Sequence, residues 1–538
     1  MGAPHRAVRA LIWALIGAPV LLGLAMTVAA ACAPGALAAA LAEPGLWASL
    51  RVTLITGLGA TAVSLALTLP LGLWLVRQPR AGRALAPMLA VPHAALGLGL
   101  AFLFAPSGLV ARGLAGPMGW AQPPQWAWPG DPWGGALLLG LVLKEAPFLL
   151  LMMLSAASQL DPARMMAAGQ SLGRRPGAAF ALGLWPQLYA RLRLPVLIVL
   201  GYGLSNVDMA LILGPSHPPT LAIRALRLYT APDLRGAGPG AVLALGLVAV
   251  CAAAAALGWA VERGAARLGR GLVWRAGEPG RGAGPGRLAG LGAGLALALG
   301  ALFWASVAML VLWSLAGAWR FPALWPEGIG LGAWRRGGWL EAAGETLRLG
   351  LGVTAAAVLL AIALLEAESR SGRAPRLWLL LVPLLLPQIG FLQGLVSGFL
   401  WLGLPPGRAA VLWAEALFVF PYVYLTLAGP WRGLGRAEFD AAASLGAGPW
   451  RRLVRLRLPM LARPLAVAAA VGFSVSVAQY LAVLLPGGGR VATLTTEAVA
   501  LASGADRRVA ASYGLAQAVL PALGFVLAFL APDRRGRR

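Results

Sequence analysis

Asp440-Ala-Ala-Ala-Ser-Leu-Gly446, with Pro449 and Pro459 after it, is the stretch that decides how this chain is read. A second copy lies upstream as Ala167-Ala-Gly-Gln-Ser-Leu-Gly173, with Pro176 and Pro186 after it. Sliding one copy along the chain lays Ser171, Leu172, Gly173, Pro176 and Pro186 on Ser444, Leu445, Gly446, Pro449 and Pro459. Asp161-Pro162 supplies an N-cap with proline at the first helical position, and Gly173 supplies a left-handed end. The helix between them has a small face, Ala163, Ala167 and Ala168; the second copy, over about 436–445, repeats it with Ala441, Ala442 and Ala443. Each copy sits in an arginine-bearing interruption between long apolar runs. Two copies in one register point to a docking element rather than a spare connection.

The surrounding composition sets the solvent. The 538 residues are 59% hydrophobic, 12% charged and have a mean hydropathy of +0.76, whereas a soluble protein is about a quarter charged. The apolar residues come in blocks long enough for a helix to cross a bilayer. The net charge of +25 does not indicate nucleic acid, because the arginines fall in alternate loops, as the positive-inside rule produces. Cys32 and Cys251 are isolated, and His5, His93 and His217 are dispersed, so neither a metal site nor a disulfide framework is expected.

Twelve apolar runs are expected to form an all-α polytopic membrane protein of about 12 transmembrane helices, arranged as two tandem six-helix repeats. The first six lie at about 10–31, 51–76, 85–106, 134–158, 192–214 and 239–261. The second six lie at about 290–315, 344–366, 376–402, 409–430, 462–485 and 511–531. The expected division is a first half over 1–262 with its motif loop at 161–187, a flexible basic Gly/Arg-rich linker over 263–289, and a second half over 290–538 with its motif loop at 434–460. With twelve spans, both termini, both motif loops and the linker fall on the cytoplasmic side. The 107–133 loop, with Trp120, Trp126, Trp128 and Trp133, suits an outer aromatic belt.

The repeat extends past the motif. Pro92 and Gly99 match Pro387 and Gly394, each pair seven apart, and Ser205, Asp208 and Pro215 match Ser476, Gln479 and Pro486. Polar residues inside spans are costly and default to functional candidates. Lys144 and Glu145 either set helix packing or line a path. Asp208 and Gln479 take matched positions near the outer ends of the fifth and eleventh runs. His93, Gln388 and Gln393 are further path candidates, and Pro92 and Pro387 are expected to kink their spans.

The motif loops resemble the EAA loop of permeases from binding-protein-dependent ABC importers, and the resemblance extends over nearly the whole chain. It is greatest to the fused permeases of the ferric-iron and thiamine importer group, in which one polypeptide carries both halves. The resemblance implies a type I importer permease fold and an inner-membrane location. It also implies two copies of a separate ABC ATPase and a periplasmic substrate-binding protein as partners. ATPase coupling would then fall to Ala167, Ala168, Ser171, Leu172, Gly173 and Pro176, and to Asp440, Ala441, Ala442, Ser444, Leu445, Gly446 and Pro449. The motif glutamate is Asp440 in the second loop and Ala167 in the first, so coupling is expected to lean on the second.

A P-loop needs a lysine after its second glycine. Lys144 is the only lysine, and Leu143 precedes it, so no cofactor is expected on this chain and ATP belongs to the partner. A secondary transporter of the 6+6 type is the competing reading. The loop Arg77-Gln-Pro-Arg-Ala-Gly-Arg83 lacks the acidic residue of the loop such carriers often show, and the paired motif loops have no role in them. A membrane-embedded enzyme would need a convergent set of His, Asp or Glu, which this sequence does not offer. Few acids lie in the spans, so an organic, chelated or anionic solute is expected over a bare cation.

Overall fold

The computed structural model describes residues 3–232, 234–275, 285–372, 377–435, 437–504 and 506–530, and among these it is helical. Among the described residues ten helices are long and apolar enough to cross a membrane, or eleven if Pro449–Met460 and Ala462–Val477, which meet at 77°, count as one bent span.

Twelve runs were expected, and the difference has a physical source. Proline removes a backbone donor and clashes with the preceding turn. The run at 376–402 is cut at Pro387 into α12 (Leu377–Leu385) and α13 (Ile389–Trp401), each too short to span alone. Around Pro92 the chain likewise breaks, rather than kinks, between α3 (Leu85–Ala90) and α4 (His93–Phe104). The fifth run is displaced. Its helix starts at Pro176, passes through a π-turn at Phe180–Leu184 and continues as α7 (Trp185–Ser205), stopping short of 214.

The expected linker, 263–289, is flanked and partly entered by two helices. Helix α9 (Ala237–Arg275) runs through its first part and α10 (Pro285–Leu315) through its last. Residues 276–284 lie outside the described residues.

Two crossings tie early helices to late ones. Helix α1 (Ala18–Ala31) packs on α13, and α10 packs on α4. Without a hydrophobic drive between helices in lipid, close approach needs small residues at the crossing. A Cβ on Gly394 would stand 2.0 Å from the Gly23 carbonyl oxygen, and one on Gly99 would stand 2.1 Å from that of Ser306. The glycines paired in the sequence thus make equivalent crossings. Elsewhere, the buried Arg112 guanidinium clasps the segment after α10, donating to the carbonyls of Trp319 at 3.0 Å, Arg320 at 2.8 Å and Ala323 at 2.7 Å.

Candidate functional site

The first motif loop forms α6 (Pro162–Ser171). The Asp161 carboxylate accepts the Arg164 N–H at 3.0 Å, satisfying one of the donors that a helix N-terminus leaves free. At the other end Gly173 takes φ +76°, and the Arg174 N–H reaches the Gly169 carbonyl. The second loop forms α15 (Ala437–Ser444) and ends alike. Gly446 takes φ +78°, and the Ala447 N–H reaches the Ala442 carbonyl. This is a Schellman closure, which needs the left-handed residue. In each loop the serine hydroxyl donates back into its helix, Ser171 to the Ala168 carbonyl and Ser444 to that of Ala441. Each then continues into Pro176–Ala179 or Pro449–Arg452 and a π-turn.

The two loops present the same kind of surface. Ala167, Ala168, Ser171 and Gly173 are exposed, as are Asp440, Ala441, Ser444, Gly446 and Pro449; Pro176 and Ala442 are half-buried. Leu172 is 76% exposed and Leu445 87%. Anchors on the opposite face are inward, Met166 in α6 and Phe439 in α15. Each otherwise small-faced helix thus ends on a bare leucine.

Their mountings differ. The first loop rests on an apolar cluster of Leu71, Met153, Met166, Phe180, Leu184 and Leu188. The second is fastened to α11 (Trp339–Ser371), whose last turns carry Glu366 and Glu368. Glu366 holds Arg370 at 2.7 Å and pairs with Arg457. Glu368 accepts from Arg432 at 2.9 Å and from the Tyr424 hydroxyl at 2.6 Å; both belong to α14 (Arg408–Arg432). Carboxylates at a helix C-terminus oppose its dipole, and these arginines compensate them. Glu366→Gln is therefore expected to loosen only the second mounting. Losing about 1–3 kcal/mol there would speed amide hydrogen exchange over 449–460 by about tenfold or more, leaving 176–188 unchanged; exchange mass spectrometry reads both segments at once.

The path candidates are sorted by the breaks. Helix α5 (Gly135–Ala157) carries Lys144 and Glu145, both buried. Lys144 Nζ donates to the carbonyls of Met88 at 3.0 Å, Leu89 at 3.0 Å and Val91 at 2.5 Å. These are carbonyls around the C-terminal end of α3, left without intrahelical donors by the break at Pro92. The ammonium thus serves the backbone and favours the negative end of the helix. Glu145 instead faces His93, with Oε1 3.2 Å from Nε2.

His93 packs against Tyr202 with the rings tilted by 47° at a centroid distance of 4.5 Å, and the Tyr202 hydroxyl donates to Asp208 Oδ1 at 3.2 Å. Asp208 opens α8 (Asp208–Leu213) after the break that ends α7. Asn206 spans that break, donating to Asp208 Oδ1 at 2.9 Å while its own Oδ1 accepts the Ala210 N–H. In the second half, Gln388 at the Pro387 break donates to Gln479 Oε1 at 3.4 Å; Gln479 lies between α16 (Ala462–Val477) and α17 (Leu481–Gly487). Asp208 and Gln479 are thus buried at helix breaks, just past the spans that end at Ser205 and Val477. Gln393 joins neither group by a side-chain hydrogen bond among the described residues, and Ser397 uses only its carbonyl.

Sequence reading missed Glu415, which is buried in α14 and accepts from Ser476 Oγ at 2.6 Å. Its signal was available, a carboxylate inside an apolar run, the same signal that singled out Glu145. Tyr202 and Asn206 were also missed, since each matters through a neighbour at the break.

Against known proteins, the chain is 30% identical over 533 residues to the inner membrane ABC transporter permease protein YnjC of Escherichia coli (strain K12). That alignment covers 97% of this chain and 95% of that protein. No protein-family model matches the chain.

Proposed function

The chain belongs to the ABC transporter permeases of the inner membrane, and from that premise we propose that it is the fused, two-half permease of an importer resembling the ferric-iron and thiamine group. In this reading two copies of an ABC ATPase seat on α6 and α15, a periplasmic binding protein delivers a small solute, and ATP is bound and hydrolysed on the ATPases alone. The halves, 1–262 and 290–538, are tandem six-helix repeats with both termini in the cytoplasm.

The observation that carries the reading is the pair of loop helices. They share a glycine closure, a back-bonded serine and an exposed leucine at one register. Each is joined by a continuous or bent helix to a break that holds a candidate path residue, Asp208 or Gln479. Tilting a loop helix would pull on the helix that follows it and so reach the break at that helix's far end, the route by which ATPase closure opens the path in this reading. The proline-cut segments at Pro92 and Pro387 give the path polar backbone where uninterrupted helices would offer none.

Reconstitution tests it. Proteoliposomes holding the permease, its ATPase and the binding protein are expected to accumulate solute only with ATP inside and binding protein outside. Accumulation on a proton or sodium gradient, without ATP, would replace this reading with that of a secondary carrier.

A further inference from the structure

The arginines of the second mounting are matched by acids: Arg370 and Arg457 meet Glu366, and Arg432 meets Glu368. Those beside the first mounting are not. Helix α7, which continues from the π-turn behind the first loop, packs on α9. Arg193 of α7 and Glu262 of α9 form an ion pair across that crossing. The pair sets Arg191 and Arg263 at its own level, because each lies within two residues of a member, and Arg267 follows about one turn beyond Arg263. All four arginines are exposed, and Glu262 is the one acid that any of them meets among the described residues. Arg191 donates only to the Gln187 carbonyl of its own helix, at 3.2 Å. Arg263 and Arg267 form no ion pair or hydrogen bond among the described residues.

Their setting is a membrane interface. The Arg263 guanidinium lies over the Trp259 ring, 3.6 Å from its centroid, and that ring is 55% exposed. Tryptophan at the end of an apolar run sits at headgroup level, so the arginine it carries is held there too. Leu257 and Val261, exposed on the same helix, supply apolar surface at the end of the span. Guanidinium forks match phosphate oxygens, and basic clusters between membrane helices hold anionic headgroups. Four arginines against one glutamate leave repulsion at the crossing that a zwitterionic lipid does not cancel.

We propose that the α7–α9 crossing binds the headgroup phosphate of an anionic phospholipid through Arg191, Arg193, Arg263 and Arg267. This lipid does for the first mounting what Glu366 and Glu368 do for the second. Helix α7 and the π-turn before it carry Leu184 and Leu188, members of the apolar cluster on which the first motif loop rests. Occupancy of the crossing therefore stiffens the seat of that loop. The site stands apart from the helix breaks that hold the path candidates, and it holds whatever solute the chain moves.

The test follows thermal unfolding of the full chain in neutral detergent against phosphatidylglycerol, phosphatidylcholine and inorganic phosphate. Phosphatidylglycerol is expected to raise the unfolding midpoint saturably, and the other two are not. Arg191→Gln with Arg263→Gln is expected to weaken phosphatidylglycerol binding about tenfold or more, since each arginine near the surface contributes severalfold. Arg451→Gln with Arg455→Gln removes the same charge from exposed positions beside the second loop and is expected to leave that affinity unchanged. If the first pair unfolds too broadly to titrate, Arg267→Gln alone, at an exposed side chain, is expected to weaken binding severalfold. In nanodiscs, phosphatidylglycerol in place of phosphatidylcholine is expected to slow amide exchange over 176–192 severalfold in the wild type.

Equal stabilisation by phosphatidylcholine, saturable stabilisation by inorganic phosphate, or no response to phosphatidylglycerol would overturn the proposal. So would an affinity unchanged in the Arg191, Arg263 and Arg267 variants, or lowered as much by the Arg451 and Arg455 substitutions. Exchange over 176–192 that is the same in both lipids would contradict the stiffening of the first loop's seat.

Discussion

Gly394→Leu is expected to abolish recovery of the folded chain. A Cβ at that position would lie 2.0 Å from the Gly23 carbonyl oxygen, 2.4 Å from Thr27 Oγ1 and 2.7 Å from the Thr27 backbone nitrogen. Two of those three atoms are backbone, so no rotamer change can clear them, and α1 must move off α13. Overpacking a well-filled site costs about 1–3 kcal/mol even where side chains can adjust. Here a whole helix crossing is lost, against a total stability on the order of 5–15 kcal/mol. Gly99→Leu is expected to behave alike at the Ser306 carbonyl. Gly246→Leu is the control, because nothing lies within 4 Å of a Cβ built there. Fluorescence-detected size-exclusion chromatography reads the outcome. A monodisperse Gly394→Leu peak at the control's height would mean that the crossing does not hold the chain together.

Lys144→Met is expected to destabilise the chain nearly as strongly, and before any effect on transport can be read. The methionine fills most of the lysine volume but leaves the carbonyls of Met88, Leu89 and Val91 without the ammonium that now meets them. A buried acceptor stripped of its partner costs roughly 1–3 kcal/mol, so about 3 kcal/mol or more is at stake at the end of α3. The variant's unfolding midpoint in detergent is expected to fall by several degrees, and exchange over 85–91 is expected to rise. A variant as stable as wild type but unable to transport would instead place Lys144 in the path.

These two sites also mark what the sequence could and could not tell. The motif loops were legible because their signals are local: an acidic cap before Pro162, a glycine that must take positive φ, and proline three residues on. The pairing of Gly99 with Gly394 was legible as a spacing, but not as a pair of crossings, since the helix that each glycine admits comes from far along the chain. Breaks were the main loss. An apolar run reads as continuous whether or not its helix is, so Pro92 and Pro387 were taken for kinks. Once the breaks are known, the polar residues follow: Lys144 goes to freed carbonyls, and Asn206 and Asp208 to a helix start that needs a cap. The second mounting, through Glu366 and Glu368, was invisible because each acid's arginine lies 64 or 91 residues further on.

The central claim is that α6 and α15 are seats for an ATPase, and co-purification tests it most directly. The tagged chain would be expressed with candidate ATPases from its own genome, as wild type, with Leu172→Glu, with Leu445→Glu and with both. Each leucine would bury most of its side chain in a partner, about 1.5–3 kcal/mol of contact, and a carboxylate there reverses the sign. The account predicts two ATPase chains per permease for wild type, weaker retention with either substitution, the greater loss with Leu445→Glu, and none with both. An ATPase held equally by the double variant, or no ATPase held by the wild type, would contradict it.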